Sequence, residues 1–218
     1  TYSGTGSSNS ITGLNFSPDF VWIKRRDTTS DHNLQDIIRG TTSPLYSNLT
    51  NAEGNFSQGL TAFNSDGFTV GTGGDVNNSS GTYVAWAWDG GTSTASNTDG
   101  GTTASVRANP TAGFSIVAWS GHGSGSTTIG HGLNAAPELI ILKGRDNAGA
   151  WVVGSDYIGW GDRLELNTTS AKGSASADFN STAPTNSVFT VGSNQGTGNK
   201  IAYCFAPVAG YSAFGSYT

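Results

Sequence analysis

The chain repeats itself, and that fact limits its fold more than any composition figure. Tyr2-Ser3-Gly4-Thr5-Gly6-Ser7 returns as Trp119-Ser120-Gly121-His122-Gly123-Ser124, and Gly13-Leu14-Asn15 followed by Pro18-Asp19-Phe20-Val21-Trp22-Ile23-Lys24 returns as Gly132-Leu133-Asn134 followed by Pro137-Glu138-Leu139-Ile140-Ile141-Leu142-Lys143. Arg26-Asp27 answers Arg145-Asp146, Phe68-Thr69-Val70-Gly71 answers Phe189-Thr190-Val191-Gly192, and Val84-Ala85-Trp86-Ala87-Trp88 answers Ile201-Ala202-Tyr203-Cys204-Phe205. The offset runs from 117 (119 minus 2) to 121 (189 minus 68), which describes a duplicated unit with small loop changes. Residues 1–90 are therefore expected to form one unit and residues 110–218 a second. The Gly-, Ser- and Thr-rich stretch 91–109 reads as an exposed linker between them. Gly210-Tyr211-Ser212 resembles Gly113-Phe114-Ser115, and Tyr217-Thr218 stands where a further copy would begin. With Thr1 first and Met 0, the chain reads as a processed product or a piece of a longer polypeptide.

Each unit is expected to be built from strands. Segments at 19–24, 67–71, 82–88, 114–119, 138–142, 151–153, 162–166, 188–192 and 200–205 carry β-branched or aromatic residues and are bounded by Gly, Asn, Asp or Pro. The runs at 20–23 and 139–142 are continuously apolar, as in strands buried on both faces. One helix is expected, over residues 31–39, where Leu34, Ile37 and Ile38 fall at helical spacing between Asp31 and Gly40. The fold class is all-β: antiparallel β-sandwich units in two tandem homologous repeats, with at most one short helix. Gly 32 and charged residues at 11% suit short strands and many turns, while Trp 6, Tyr 7 and Phe 10 supply a core and argue against disorder.

The net charge of −5 disfavours nucleic acid as a partner, and no apolar run reaches the length of a membrane span. Cys204 sits alone in an apolar run and reads as a buried, inert thiol. His32, His122 and His131 lie in no nucleophile elbow and have no cysteine at ligand spacing. The densest oxygen clusters for calcium are Asp75-Val76-Asn77-Asn78 and residues 27–31, and neither has EF-hand spacing, so no cofactor is expected. Asp156, Asp162 and Glu165 are the carboxylates nearest to a glycosidase pattern, and they read instead as turn and strand-edge residues. Lys24-Arg25-Arg26 and Lys143-Gly144-Arg145, each followed by Asp, read as ion-paired strand ends.

No catalytic and no metal-binding residue emerges. The remaining candidates for ligand binding are Trp151, Asp156, Tyr157 and Trp160, an aromatic and acidic group inside ten Gly-rich residues. Rings cover the apolar faces of sugars or proteins, and acids hold hydroxyls.

The motifs also resemble a duplicated domain of unknown function in structural proteins of marine tailed phages, including cyanophages. The residues that carry the resemblance are Phe16-Ser17-Pro18-Asp19-Phe20-Val21-Trp22-Ile23-Lys24-Arg25-Arg26, Asp36 with Arg39-Gly40, Asp66-Gly67-Phe68, Tyr83-Val84-Ala85-Trp86-Ala87-Trp88, Gly113-Phe114-Ser115-Ile116-Val117, Gly130-His131-Gly132-Leu133 and Phe214-Gly215-Ser216-Tyr217. The resemblance implies a non-enzymatic virion protein on the particle surface, in a tail fibre or comparable appendage that contributes to host attachment. It implies contact with further copies of itself in a homo-oligomer, with other virion proteins and with a host surface glycan or protein. A capsid decoration or cement protein is the alternative, and a depolymerase-type tailspike is third.

Overall fold

The computed structural model describes residues 1–217 and divides into two compact units, Thr1–Asp89 and Gly90 onward. The protein is nearly all β, with several antiparallel sheets and, among the described residues, one short α-helix. Thr218, on which the expectation of a further copy partly rests, lies outside the described residues.

The first unit contains β1 (Tyr2–Ser3), β2 (Asn9–Thr12), β3 (Phe20–Arg25), β4 (Asn33–Asp36), β5 (Leu45–Tyr46), β6 (Leu60–Asn64), β7 (Gly67–Val70), α1 (Gly74–Asn77) and β8 (Thr82–Trp88). Five strands pair in the order β1-β8-β3-β4-β5, and three in the order β2-β7-β6. The two sheets share one core: Val21 and Ile23 of β3 and Tyr83 of β8 meet Leu60, Phe68 and Val70 of the smaller sheet and Val76 of α1. Phe20, next to Val21 and on the opposite face of β3, is also buried, as its continuous apolar run predicts. At the start of β7, Gly67 has φ 151°, and a Cβ there would lie 1.9 Å from the Ile11 carbonyl oxygen. Only glycine fits this approach of β7 to β2.

The helix expected over residues 31–39 does not form. Its centre is β4, hydrogen-bonded between β3 and β5 with Trp22 opposite Leu34 and Leu34 opposite Leu45. The helical spacing belongs to a turn in which Asp36 Oδ1 accepts the amides of Ile38 (3.1 Å) and Arg39 (3.0 Å), and Gly40, at φ 84°, donates to the Asp36 carbonyl at 2.9 Å. A short polar side chain that bonds its own backbone competes with helix, and here two neighbouring strands decide the contest.

The second unit contains β9 (Thr94–Asn97), β10 (Ala104–Asn109), β11 (Phe114–Ser120), β12 (Thr127–Gly130), β13 (Leu139–Gly144), β14 (Val152–Ser155), β15 (Asp162–Glu165), β16 (Gly173–Ser174), β17 (Val188–Val191) and β18 (Asn199–Phe205). Eight strands pair in the order β16-β15-β14-β13-β18-β11-β10-β9, and β12 pairs with β17. One apolar cluster joins them, with Val117, Ile140, Leu142, Ala202 and Cys204 of the large sheet against Ile129, Phe189 and Val191 of the small one. Cys204 is free and buried, and burial pushes its thiol pKa up.

The stretch 91–109 is not a linker. β9 and β10 form a hairpin with Thr94 opposite Arg107, and β10 pairs along its length with β11. Ala104 and Val106 are buried in the core, while Ser105 between them is exposed. That period-two alternation is the strand signal, hidden by small side chains in a low-complexity composition.

Candidate functional site

The four aromatic and acidic candidates do not make one site. Trp151 is fully buried, and its amide donates to Asn167 Oδ1 at 2.8 Å. Trp160 is 6% exposed, meets Phe179 edge to face at 5.5 Å, and donates from Nε1 to Asp156 Oδ1. Gly154 makes room for it: a Cβ at Gly154 would lie 2.5 Å from the Trp160 ring. Tyr157 and Asp156 are exposed, Tyr157 to 45% with its hydroxyl 3.4 Å from Glu138 Oε2. The rings of Trp151 and Trp160 are core, so neither is available to stack on a ligand. The glycines between them give the rings space to pack inward.

The carboxylates considered for hydrolysis are engaged as well. Asp162 pairs with Lys172, and Glu165 accepts from Arg163 Nη2 at 3.1 Å. His131 is buried, with the Leu133 amide 3.2 Å from Nδ1 and the Thr185 carbonyl 3.1 Å from Nε2. His32 Nδ1 accepts from Trp22 Nε1 at 2.9 Å, and burial holds its pKa below the usual value. In the calcium candidates, Asp27 takes Arg25 Nε at 2.8 Å, Asp75 takes the Ser30 hydroxyl at 2.7 Å, and Asn77 bonds the Thr5 amide at 2.9 Å and the Gly71 carbonyl at 2.6 Å. Among the described residues no group of three or more His, Cys, Asp or Glu is placed to hold a metal ion.

What the structure does assemble is a polar cleft of about 340 Å³ in the second unit. Its floor is the face of the large sheet where the apolar core ends, carrying Val152, Arg163, Glu165 and Lys200. One wall is the turn 146–150 after β13, and the other holds Asp178 and residues 194–199 before and into β18. Asp178 is 2% exposed and organises that wall: Oδ1 accepts from Asn194 Nδ2 at 3.1 Å and Gln195 Nε2 at 2.9 Å, and Oδ2 accepts from Arg163 Nη1. Asp146 ties the walls together by accepting the Asn199 amide at 2.7 Å and Asn199 Nδ2 at 3.1 Å, and those bonds hold its carboxyl below the usual range. Burial lowers the pKa of Lys200, and burial together with the Lys200 charge lowers Lys143, whose Nζ donates to the Gly144 carbonyl at 3.0 Å, to about 8.

None of the four ligand-binding candidates lines this cleft, but Glu165, weighed with Asp156 and Asp162 as a glycosidase carboxylate, does. The other sequence signal at the cleft is Asp146 of Arg145-Asp146, the counterpart of Arg26-Asp27, a pattern that predicts an ion-paired strand end. Asp178, Asn194 and Gln195 come from loops with no pattern to mark them. A second surface feature also escapes the sequence: Trp86 is 46% exposed on the outer face of the five-stranded sheet and meets Trp22 edge to face at 6.1 Å.

Among the described residues no helix is long and apolar enough to cross a membrane. No curated protein and no solved structure matches the chain. One family model does, over residues 1–218, and the chain belongs to the family described as a domain of unknown function, DUF7483.

Proposed function

We propose that the chain is a non-enzymatic structural module of a phage virion, built from a duplicated β unit and displayed in a tail fibre or comparable appendage, where it contributes to host attachment. The observation that carries this reading is the recurrence of one strand scheme. The order β1-β8-β3-β4-β5 in the first unit has its counterpart in β11-β18-β13-β14-β15, and β2-β7 has its counterpart in β12-β17. The detail recurs too. Asn15 and Asn134 take φ 61° and 58°; Arg26 and Arg145 each donate a 2.8 Å amide bond to the strand alongside, at Thr82 and Asn199; Asn48 and Asn167 each accept one from His32 and Trp151. A duplicated, low-charge β unit suits a surface assembly in which many identical interfaces are laid side by side.

The test is antibody labelling of intact phage particles whose genomes encode the chain. Label confined to a tail appendage is the expected result. Label spread over the capsid would favour a decoration protein, and particles without the chain would overturn the virion assignment.

A further inference from the structure

Apart from β6, present only in the first unit, and β9, β10 and β16, present only in the second, the two units differ at the end of the core where the second has its cleft. In the first unit the β8 position opposite Arg25 is Tyr83, fully buried, its hydroxyl donating to the Gly74 carbonyl at 2.7 Å and accepting the Asn78 amide at 2.7 Å. The matching β18 position, opposite Gly144, is Lys200. Tyr46, opposite Asn33 on β5, is matched by Glu165, opposite Val152 on β15. The segment between the last two long strands shortens as well, from Val70–Thr82 to Val191–Asn199, a span of 12 residues against 8, and with it goes α1 and its buried Val76. A ring and the α1 turn are exchanged for a lysine and a shorter segment with a 3-10 turn at Ser193–Gln195, and the cleft lies beside them.

We propose that this cleft is a saccharide-binding site that takes a neutral, hexose-sized ring. The volume of about 340 Å³ lies at the small end of ligand pockets, roughly 300–1,000 Å³. Fixed polar groups of both kinds face it, with the Lys200 ammonium as donor and the amides of Asn147 and Asn194 as donors and acceptors. Val152, Ala148 and Ala150 also line it and supply apolar surface for the C–H face of a ring. Asp178 and Arg163 lock the wall before any ligand arrives, which lowers the ordering cost of binding. Three carboxylates, Asp146, Glu165 and Asp178, against Arg163 and Lys200 leave the lining unsuited to phosphate or to an acidic sugar. The inference deepens the attachment reading and rests on it only for the origin of the saccharide, since the cleft and its chemistry stand without it.

The test is amide chemical-shift titration of the full chain with neutral hexoses, N-acetylhexosamines and their short oligomers, with uronic acids and inorganic phosphate in parallel. Saturable shifts at Asn147, Asn194 and Lys200 with a neutral sugar are expected. Gly149 lines the cleft and a Cβ placed on it meets no atom within 4 Å, so Gly149→Phe adds a ring at the cleft without a backbone clash; it should weaken binding by at least about tenfold with an unchanged melting curve. Asn147→Ala, on an exposed turn, provides the second variant and should weaken binding less. No saturable shift, shifts confined to other surfaces, or a response only to uronic acid or phosphate would overturn the proposal. Because particle labelling is independent of this titration, a failure here leaves the virion reading standing, and a failure there leaves the cleft.

Discussion

Trp160 shows how far a single side chain's meaning depends on the layer it lies in. Packed on Phe179 and bonded to Asp156, it belongs to the core of the second unit. Trp160→Ala is therefore expected to cost roughly 3–5 kcal/mol of stability, read by urea unfolding, whereas Tyr157→Ala should change it by about 0.5 kcal/mol or less. Equal effects would contradict the placement of the two rings. Arg39 is another such case, with its Nε 2.6 Å from Asp36 Oδ2 and both side chains fully buried. Arg39→Ala leaves Asp36 buried without its cation, and about 3–5 kcal/mol should be lost.

Lys143 gives the pH dependence. Its side chain is buried, and its folded pKa is about 8 against an ordinary 10.5. Between those values the unfolded chain binds more protons than the folded one, so stability rises with pH across that window. The window closes above about pH 9, because Cys204, Tyr2 and Tyr83 have raised pKa values when folded and stability falls as the unfolded thiol and then unfolded tyrosine ionise. Thermal unfolding from about pH 7.5 to 9 should show the rise in the wild type and a flatter profile in Lys143→Met. A profile unchanged by the substitution would place the titration elsewhere.

At the scale of elements, the hairpin of β9 and β10 separates composition from pattern. If Ala104–Asn109 is a paired strand, its amides should exchange with solvent far more slowly than those of the Gly123-Ser124-Gly125 loop, and rapid exchange throughout residues 91–109 would restore the linker. The long strands were legible because aromatic and β-branched residues sit between turn residues; β3, β8, β11, β13 and β18 all lie where the pattern put them. The short ones were not. β1, β5 and β16 have two residues each and exist through their partners, not through any local preference. The helix failed for the converse reason: three apolar residues at helical spacing cannot outweigh two flanking strands, and α1 formed in Gly74–Asn77, where no period was present to read. The cleft was illegible because its walls come from residues 146–150, 163–165, 178 and 194–200, which only the fold brings together.

For the whole molecule, the first unit keeps its core closed with Tyr83 and Val76, and the second opens the matching position into a polar cleft. On the proposed reading, the closed first unit serves as scaffold and the second as the binding unit. On this account the assembled chain, labelled and added to host cells, binds saturably; a soluble neutral glycan competes, and Gly149→Phe removes most of the binding while its melting curve stays that of the wild type. Absence of cell binding, together with tight association of the same preparation with purified capsids, would contradict attachment and make the chain a decoration protein.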